Sequence, residues 1–414
     1  MAKNGGIISG GFQPLKAPDA PTIDSVTAGV LQADVEISAP EDAGDGTISS
    51  YVVSAKQSDG TSVSNTSASA GTVSLTLTAG GTTTFSAQAI SQYGPGAFSG
   101  YGNSTTILSG QKLFGIGVNG DGELGQGDTV PRSSPVQIGT ETNWDTFNTY
   151  RSSTYAVRGG ALYSWGDNRD SRLGYSSGDI SSPTQVGSLT NWKKAVGLGL
   201  GTAIAVKTDG TLWGWGDNAD GEIGNNTLYF RYDSPVQVGS DTDWVDVFAN
   251  GSLSIAKKSD GSVYLWGPNQ FGQVGDNTVI ARSSPVQLGS DTDWNVITSS
   301  GSTAHAIKTD GTLWSWGLND DGQLGQGNTV SRSSPVQVGA LTNWTEVSSY
   351  NLNAMALTSG NALYAMGRGI VGRNGNNSEV SLSSPTQISG TWTAIAVGSS
   401  TNFAVDGSGN LWIT

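Results

Sequence analysis

The sequence lacks cysteine and has one histidine, His305, in 414 residues. Without cysteine the chain can form no disulfide, no catalytic thiol and no cysteine-based zinc site. The lone histidine leaves no evident nucleophile and base pair, and we interpret it as a structural residue of the repeat described below. We therefore expect a protein that is not an enzyme, with no catalytic residues, no cofactor and no metal.

Basic residues are also scarce. The chain has 20 Lys and Arg against 34 Asp and Glu, a net charge of −14. Residues 1–111 carry 3 basic against 8 acidic residues, and the remainder carries 17 against 26, so both parts are acidic. Neither part has a basic run that could neutralise phosphates, which predicts no nucleic-acid partner.

Long apolar runs are missing as well. No segment approaches membrane-spanning length, and the first fifteen residues have no apolar stretch longer than Ile7-Ile8. We expect no membrane insertion and no secretion signal, and hence folding in a cytoplasm.

Sustained helical periodicity is absent, and what the sequence contains instead is a repeat. An aromatic pentapeptide such as "LWSWG" begins at residues 113, 162, 212, 263, 313 and 363, and a last copy, "LWIT", begins at 411. Each block shows four strand signals, and Asp-Gly pairs such as Asp209-Gly210 predict two-residue hairpin turns. A period near fifty residues with four short strands predicts a β-propeller.

The number of blades follows from the copies of the aromatic strand. Seven copies favour seven blades, with "TTILSG" at Thr105 supplying a strand missing from the first, whereas six complete blocks leave six blades as the alternative. Tryptophans at fixed positions in the repeat are expected in the core between blades rather than on a sugar-binding surface.

The repeat resembles the regulator of chromosome condensation family. The residues that carry the resemblance are Trp316-Gly317, Asn319, Gly322 to Gly325 and Pro335-Val336, and similar residues recur in phase over residues 109–414. The resemblance implies a propeller that serves as a recognition surface. The founding member of the family exchanges guanine nucleotide through an inserted β-wedge; blocks of 48 to 51 residues leave no room for one, so we do not expect that activity here.

The segment before the repeat resembles a fibronectin type III domain. "APDAPTIDSV" opens it, and "YVVSAK" at Tyr51 and "FSAQAIS" at Phe85 match its central strands. The predicted fold is therefore all-β, with a Gly-rich arm at 1–17, an immunoglobulin-like sandwich at 18–108 and a propeller at 109–414. In the arm, the apolar residues Ile7, Ile8, Phe12 and Leu15 are candidate anchors to a partner.

Loops that depart from the repeat are candidate recognition sites. "LYFRYD" at Leu228 and "GRGIVGRNG" at Gly367 replace the loop consensus with aromatic and basic residues. The candidates are Tyr229, Phe230, Arg231, Tyr232, Arg368 and Arg373. The acidic pair Asp320-Asp321 is interpreted as turn chemistry, with a weak calcium site as the alternative.

Surface-type modules without an export signal are typical of a particle assembled inside a bacterial cell. The leading hypothesis is a non-enzymatic virion protein of a bacteriophage, either a capsid decoration or a tail-fibre component, whose arm binds other virion proteins. Its propeller would face outward to recognise a host surface protein or glycan. The alternative is a cellular propeller that binds proteins as an enzyme inhibitor or a scaffold.

Overall fold

The computed structural model describes residues 16–413, apart from residues 30–31, 59, 78–80, 93, 100–101, 108–111, 200, 249–250, 351 and 399–401. The candidate anchors Ile7, Ile8, Phe12 and Leu15 lie outside the described residues. The chain divides into two compact units, Met1–Lys112 and Leu113–Thr414.

Strands account for the regular structure of both units. The described residues form no α-helix, only two short 3₁₀ turns at Arg169–Ser171 and Ile370–Gly372. In the part of the chain that the structure describes, no helix is long and apolar enough to cross a membrane.

Where the structure describes it, the first unit has two antiparallel sheets around one core. Its strands are β1 (Thr22–Gly29), β2 (Gln32–Ser38), β3 (Ile48–Gln57), β4 (Ser62–Ser67), β5 (Gly71–Thr76), β6 (Gly81–Ser91), β7 (Gly94–Phe98) and β8 (Gly102–Ile107). One sheet has the order β1-β2-β5, and the other has the order β4-β3-β6-β7, with β8 also paired to β6. Alternate residues such as Val35, Val53, Leu75 and Phe85 point inward and form the core.

The position of β8 corrects one prediction. Thr105 and Thr106 pair with Thr83 and Thr82 of β6, so "TTILSG" belongs to the first unit and does not complete a propeller blade. Because β7 already pairs with β6, β8 continues the same hydrogen-bonded ladder along the rest of that strand, which satisfies its backbone locally.

The described residues of the second unit form seven sheets in series. The first sheet consists of β9 (Phe114–Gly117) and β10 (Arg132–Gln137). The second consists of β11 (Thr146–Tyr150), β12 (Ser153–Arg158), β13 (Ala161–Gly166) and β14 (Ile180–Gln185). The third consists of β15 (Trp192–Gly197), β16 (Thr202–Lys207), β17 (Leu212–Gly216) and β18 (Tyr232–Val238). The fourth consists of β19 (Trp244–Phe248), β20 (Ser254–Lys258), β21 (Val263–Gly267) and β22 (Arg282–Gln287).

The remaining sheets follow the same plan. The fifth consists of β23 (Trp294–Ser299), β24 (Thr303–Lys308), β25 (Leu313–Gly317) and β26 (Arg332–Gln337). The sixth consists of β27 (Trp344–Tyr350), β28 (Asn353–Thr358), β29 (Leu363–Gly367) and β30 (Leu382–Ile388). The seventh is β31 (Trp392–Val397), β32 (Asn402–Asp406) and β33 (Leu411–Ile413). We call the four strands of a complete sheet A to D in chain order; the first sheet has strands C and D, and the seventh has A to C.

The predicted hairpin turns between strands B and C differ in detail. Gly210 donates its N–H to the carbonyl of Lys207 at 3.1 Å, and Gly210 carries the positive φ of the turn, at 78°. The connection is therefore a type I turn closed by a left-handed glycine rather than a two-residue turn with two positive φ angles. Asp209 contributes through its side chain, which accepts a hydrogen bond from the N–H of Thr211 at 3.0 Å.

Tryptophans fill the spaces between consecutive sheets, as the repeat predicts. Trp165, Trp215, Trp266 and Trp316 on strands C are fully buried. Trp144, two residues before strand A of the second sheet, and the strand A tryptophans Trp192, Trp244, Trp294 and Trp344 are 2–4% exposed, while Trp213, Trp314 and Trp392 are half-buried. Each cluster joins residues of two adjacent sheets, so the core of this unit is divided among the junctions.

Candidate functional site

The connections between strands C and D, here called the C–D loops, have a common internal scaffold. Asn319, fully buried, accepts the N–H of Leu324 at 2.9 Å and donates to the carbonyls of Asn328 at 2.9 Å and Val330 at 3.1 Å. Asn119 and Asn269 make equivalent bonds in their own loops. The asparagine amide thus forms the hydrogen bonds that backbone N–H and C=O groups of the loop would otherwise make with a neighbouring strand.

The neighbouring sheet also fixes each loop. The N–H of Gly327 donates to the carbonyl of Ser383 on strand D of the next sheet at 2.7 Å. Asn226 and Asn277 make the same bond to Ser283 and Ser333. Because every sheet repeats the same antiparallel order, all C–D loops emerge from one face of the unit.

This scaffold displays apolar side chains at one repeated position. Five residues before the proline of strand D stand Val130, Phe230, Ile280, Val330 and Val380, which are 55–68% exposed, while the second sheet has Gly178. We call these five residues the C–D surface. Since the repeat keeps an apolar residue where folding does not bury it, the position is a candidate contact for a partner.

The predicted recognition residues in the third sheet lie beside this surface. Tyr229 is 85% exposed and has a φ of 62°, and Phe230 belongs to the C–D surface itself. Arg231 is exposed and its Nε lies 3.3 Å from Asp233 Oδ1. Tyr232 is half-buried and packs in the junction on either side, so less of its ring is available to a partner.

The predicted residues of the sixth sheet lie in another C–D loop on the same face. Arg368 is 41% exposed and its Nε lies 4.0 Å from Asp321 Oδ1. Arg373 is half-buried, and its carbonyl accepts a hydrogen bond from Asn402 Nδ2 at 2.6 Å. The structure thus places the two predicted sets in separate loops, three sheets apart.

Sequence reasoning overlooked Val130, Ile280, Val330 and Val380. It searched for departures from the repeat, whereas these residues follow the repeat. Their common distance from the proline of strand D was a signal in the sequence, but only the structure shows that this position stays exposed.

We next asked whether the second unit contains groups that could catalyse a reaction or bind a metal ion. His305 is buried, its Nε2 lies 2.9 Å from the carbonyl of Gln323, and burial lowers its pKa to about 4. Among the described residues, no group of three or more His, Cys, Asp or Glu side chains could hold a metal ion. The pattern Gly-x-Ser-x-Gly does occur, at Gly174 to Gly178, but it lies in a C–D loop rather than in the strand–turn–helix that a serine nucleophile requires.

Comparisons with known proteins agree with this architecture. Models of the family described as Regulator of chromosome condensation (RCC1) repeat match residues 260–307, 310–349 and 194–222. The chain therefore contains RCC1 repeats.

Two curated relatives share part of the chain. The Ultraviolet-B receptor UVR8 of Arabidopsis thaliana is 28% identical over 183 residues, which cover 42% of each protein. The E3 ubiquitin-protein ligase HERC2 of Homo sapiens is 29% identical over 179 residues, which cover 40% of this chain and 4% of HERC2. The chain thus spans less than half the length of these relatives.

Solved structures show the same fold. Prp20p of Saccharomyces cerevisiae superposes with a TM-score of 0.62 at 19% identity, over 74% of this chain and 81% of that one. Human WBSCR16 superposes with a TM-score of 0.59 at 18% identity, over 84% of this chain and 96% of that one. The second unit is therefore an RCC1-type β-propeller in its fold.

Proposed function

We propose that this protein is a non-enzymatic binding protein whose propeller recognises another protein through the C–D surface. The observation that carries the proposal is the repeated exposure of Val130, Phe230, Ile280, Val330 and Val380. Covering such side chains gains about 25 cal/mol per Å² of apolar area removed from water. The buried asparagines and the interstrand bonds hold the loops in place, which reduces the entropy lost on binding.

The relatives support a binding role. Yeast Prp20 forms a complex with Kap60 and has binding properties to Gsp1p and histones. These partners are those of Prp20, and their relevance to this chain is that an RCC1-type propeller serves as a protein-recognition surface. The alternative first drawn from the sequence, a propeller acting as inhibitor or scaffold, therefore becomes the main proposal.

The arginines next to the C–D surface already form ion pairs within the protein, which favours a partner bound by apolar contacts over one bound by opposite charge. Arg132 and Arg282 are already paired with Asp128 and Asp276 at 2.7 and 2.5 Å. We therefore propose that apolar side chains of the partner provide most of the affinity, with the arginines at the rim. The virion role, with its virion partners, host ligand and location, stays a prediction; mass spectrometry of purified phage particles would test it.

For the first unit, we propose a fibronectin type III-like sandwich that serves as an attachment or spacer module. The strand order β1-β2-β5 facing β4-β3-β6-β7 supports this, since it corresponds to sheets A-B-E and C′-C-F-G of that fold. On this interpretation β7 and β8 are two parts of one interrupted last strand, both paired with β6.

A capture experiment tests the binding role. The full-length protein would be immobilised beside the triple variant F230S/I280S/V330S and a control, L189S/L341S, which removes exposed leucines from the loops between strands D and A. We expect a partner that the wild type and the control retain and the triple variant loses, with the affinity then measured directly. Partners bound equally by all three proteins would contradict the proposal.

A further inference from the structure

Strand B ends in a cation in four of the propeller sheets. The position holds Arg158, Lys207, Lys258 and Lys308 in the second to fifth sheets, and Thr358 in the sixth. Each cation lies over an aromatic ring of its own sheet, within 5.2 Å of the ring centre. The aromatic contact stabilises a positive charge that is largely removed from water.

The loop before strand A supplies carboxylates to three of these cations. Lys258 Nζ lies 2.6 Å from Asp241 Oδ2 and 3.1 Å from Asp243 Oδ1. Both aspartate side chains are about half exposed, at 54% and 47%, whereas the lysine side chain is 12% exposed, so the carboxylates cover the ammonium at the protein surface. Equivalent ion pairs join Arg158 to Glu141 and Lys308 to Asp291 and Asp293.

Lys207 in the third sheet keeps the aromatic contacts but lacks the carboxylates. Leu189 and Asn191 stand where Asp241 and Asp243 stand before the lysine of the fourth sheet. Lys207 is 4% exposed, and within the part of the chain that the structure describes no hydrogen-bond acceptor or ion-pair partner contacts its Nζ atom. An ammonium group has three N–H donors, so this buried charge can accept an anion from outside.

The loop beside Lys207 has the backbone of its neighbour in the fourth sheet. Its first residue, Gly187, has a φ of 63°, against 64° for Gly239. Asn191 and Asp243 each accept a backbone N–H from the turn after strand B, at 2.8 and 2.9 Å. The two sites therefore differ in their side chains, and only one of them contains its own carboxylates.

The ammonium of Lys207 also lies closer to its aromatic rings. Its Nζ is 3.6 Å from the centre of the Trp213 ring and 4.6 Å from that of Trp192, whereas the distances at Lys258 and Lys308 are 4.9–5.2 Å. Burial lowers the pKa of Lys207. At the other two lysines the paired aspartates overcome the effect of burial and raise the pKa.

We propose that Lys207 binds a carboxylate side chain, aspartate or glutamate, of a partner polypeptide, in the place that Asp241 and Asp243 occupy in the fourth sheet. The incoming carboxylate would accept charge-assisted hydrogen bonds from the ammonium. Because strand B ends on the face opposite the C–D loops, this site is separate from the C–D surface.

Asp209 favours a carboxylate over a phosphate at this site. Hydrogen bonds from the hydroxyl and N–H of Thr211 lower the pKa of Asp209, so its carboxylate is ionised, and Asn191 Nδ2 donates to it at 3.0 Å. This charge already acts on Lys207. It would repel a dianionic phosphate more strongly than a singly charged carboxylate.

Titration of the full-length protein with short peptides tests the proposal. Changes in the indole N–H signals of the ¹⁵N-labelled protein would give the dissociation constants of acetyl-Gly-Glu-Gly-amide, acetyl-Gly-Gln-Gly-amide and acetate. We expect the glutamate peptide to bind about tenfold more tightly than the glutamine peptide, because its bond to the ammonium is charge-assisted. Equal affinity of the two peptides would overturn the proposal, and acetate binding as tightly as the glutamate peptide would contradict a polypeptide ligand.

Two variants at the site and one matched control locate the binding. L189D/N191D gives the third sheet the Asp-Thr-Asp of its neighbour, and K207T introduces the residue of the sixth sheet; each should abolish binding of the glutamate peptide. L341D/N343D makes the same changes in the Leu-Thr-Asn loop of the sixth sheet, where strand B ends in Thr358, and should leave the affinity unchanged. Wild-type binding by both site variants, or equal loss in the control, would refute the site.

Discussion

The fifth and seventh sheets of the propeller share a sequence pattern but differ in burial. Leu313 in the fifth sheet is fully buried and Trp314 is half-buried, whereas Leu411 and Trp412, at the same positions of the pattern in the seventh sheet, are 62% and 53% exposed. In the fifth sheet, Val338 after strand D donates its N–H to the carbonyl of Leu313 at 2.7 Å, and the C–D loop of the fourth sheet receives Trp316. The contribution of a repeat motif to stability therefore depends on the strands that surround it.

Replacing buried and exposed tryptophans would test this comparison most strongly. W316A should lower the free energy of unfolding by about 3–5 kcal/mol, because it leaves a cavity and removes the bond to Gln273. W412A should cost about 1 kcal/mol or less. All 13 tryptophans lie in the second unit, so their fluorescence in guanidinium titrations reports on the propeller. Equal losses in the two variants would refute the comparison.

The loop asparagines should show a smaller difference. N319A would leave a buried N–H and two carbonyls without their side-chain partner, at a cost of about 2–3 kcal/mol. N410A in the seventh sheet removes an exposed bond to Asp406 and should cost less than about 0.5 kcal/mol. The same titrations would measure both, and a stable N319A variant would show that water replaces the amide.

The pH dependence of the free energy of unfolding should depend on which residue, Glu or Gln, occupies one buried position of the C–D loop. Glu222 stands where other loops have Gln273 and Gln323, and burial raises its pKa from 4.5 to about 7. The folded protein holds this proton more tightly, so the stabilisation is full below pH 4.5 and is lost as the pH rises through about 7. E222Q should remove this loss, worth about 3 kcal/mol at pH 8.

His305 acts in the opposite direction within a similar pH range. Burial lowers its pKa from 6.5 to about 4, so its contribution is full above pH 6.5 and is lost as the pH falls through about 4. H305M, with the residue found at the equivalent Met355, is therefore the matched control for E222Q. Melting temperatures from pH 4 to 8 should change slope in opposite senses for the two variants; parallel profiles would contradict both assignments.

The smallest effect is expected at the C–D surface. V330S should change the free energy of unfolding by less than about 0.5 kcal/mol, since Val330 is 55% exposed. V338S, at a side chain that is 1% exposed, should cost several times more. A large loss in V330S would mean that the C–D surface is structural, which would weaken the proposed binding role.

The sequence predicted the general architecture well and the positions of the candidate sites less well. The fifty-residue period, the four strands of each complete sheet and the buried tryptophans follow from local patterns and are confirmed. The prediction that "TTILSG" completes a blade was wrong, because a short β-branched segment does not specify its neighbour. The recognition role of Tyr229, Phe230, Arg231, Tyr232, Arg368 and Arg373 stays a prediction.

By itself, the sequence determined the repeat unit, because strand period, turn chemistry and loop asparagines act over a few residues. Only the tertiary structure decided which copies of a motif are buried. Val330 and Val338 are eight residues apart and chemically identical, yet the next sheet covers only one of them. The raised pKa of Glu222 has the same origin: burial is set by strands far away in the chain, which no local pattern encodes.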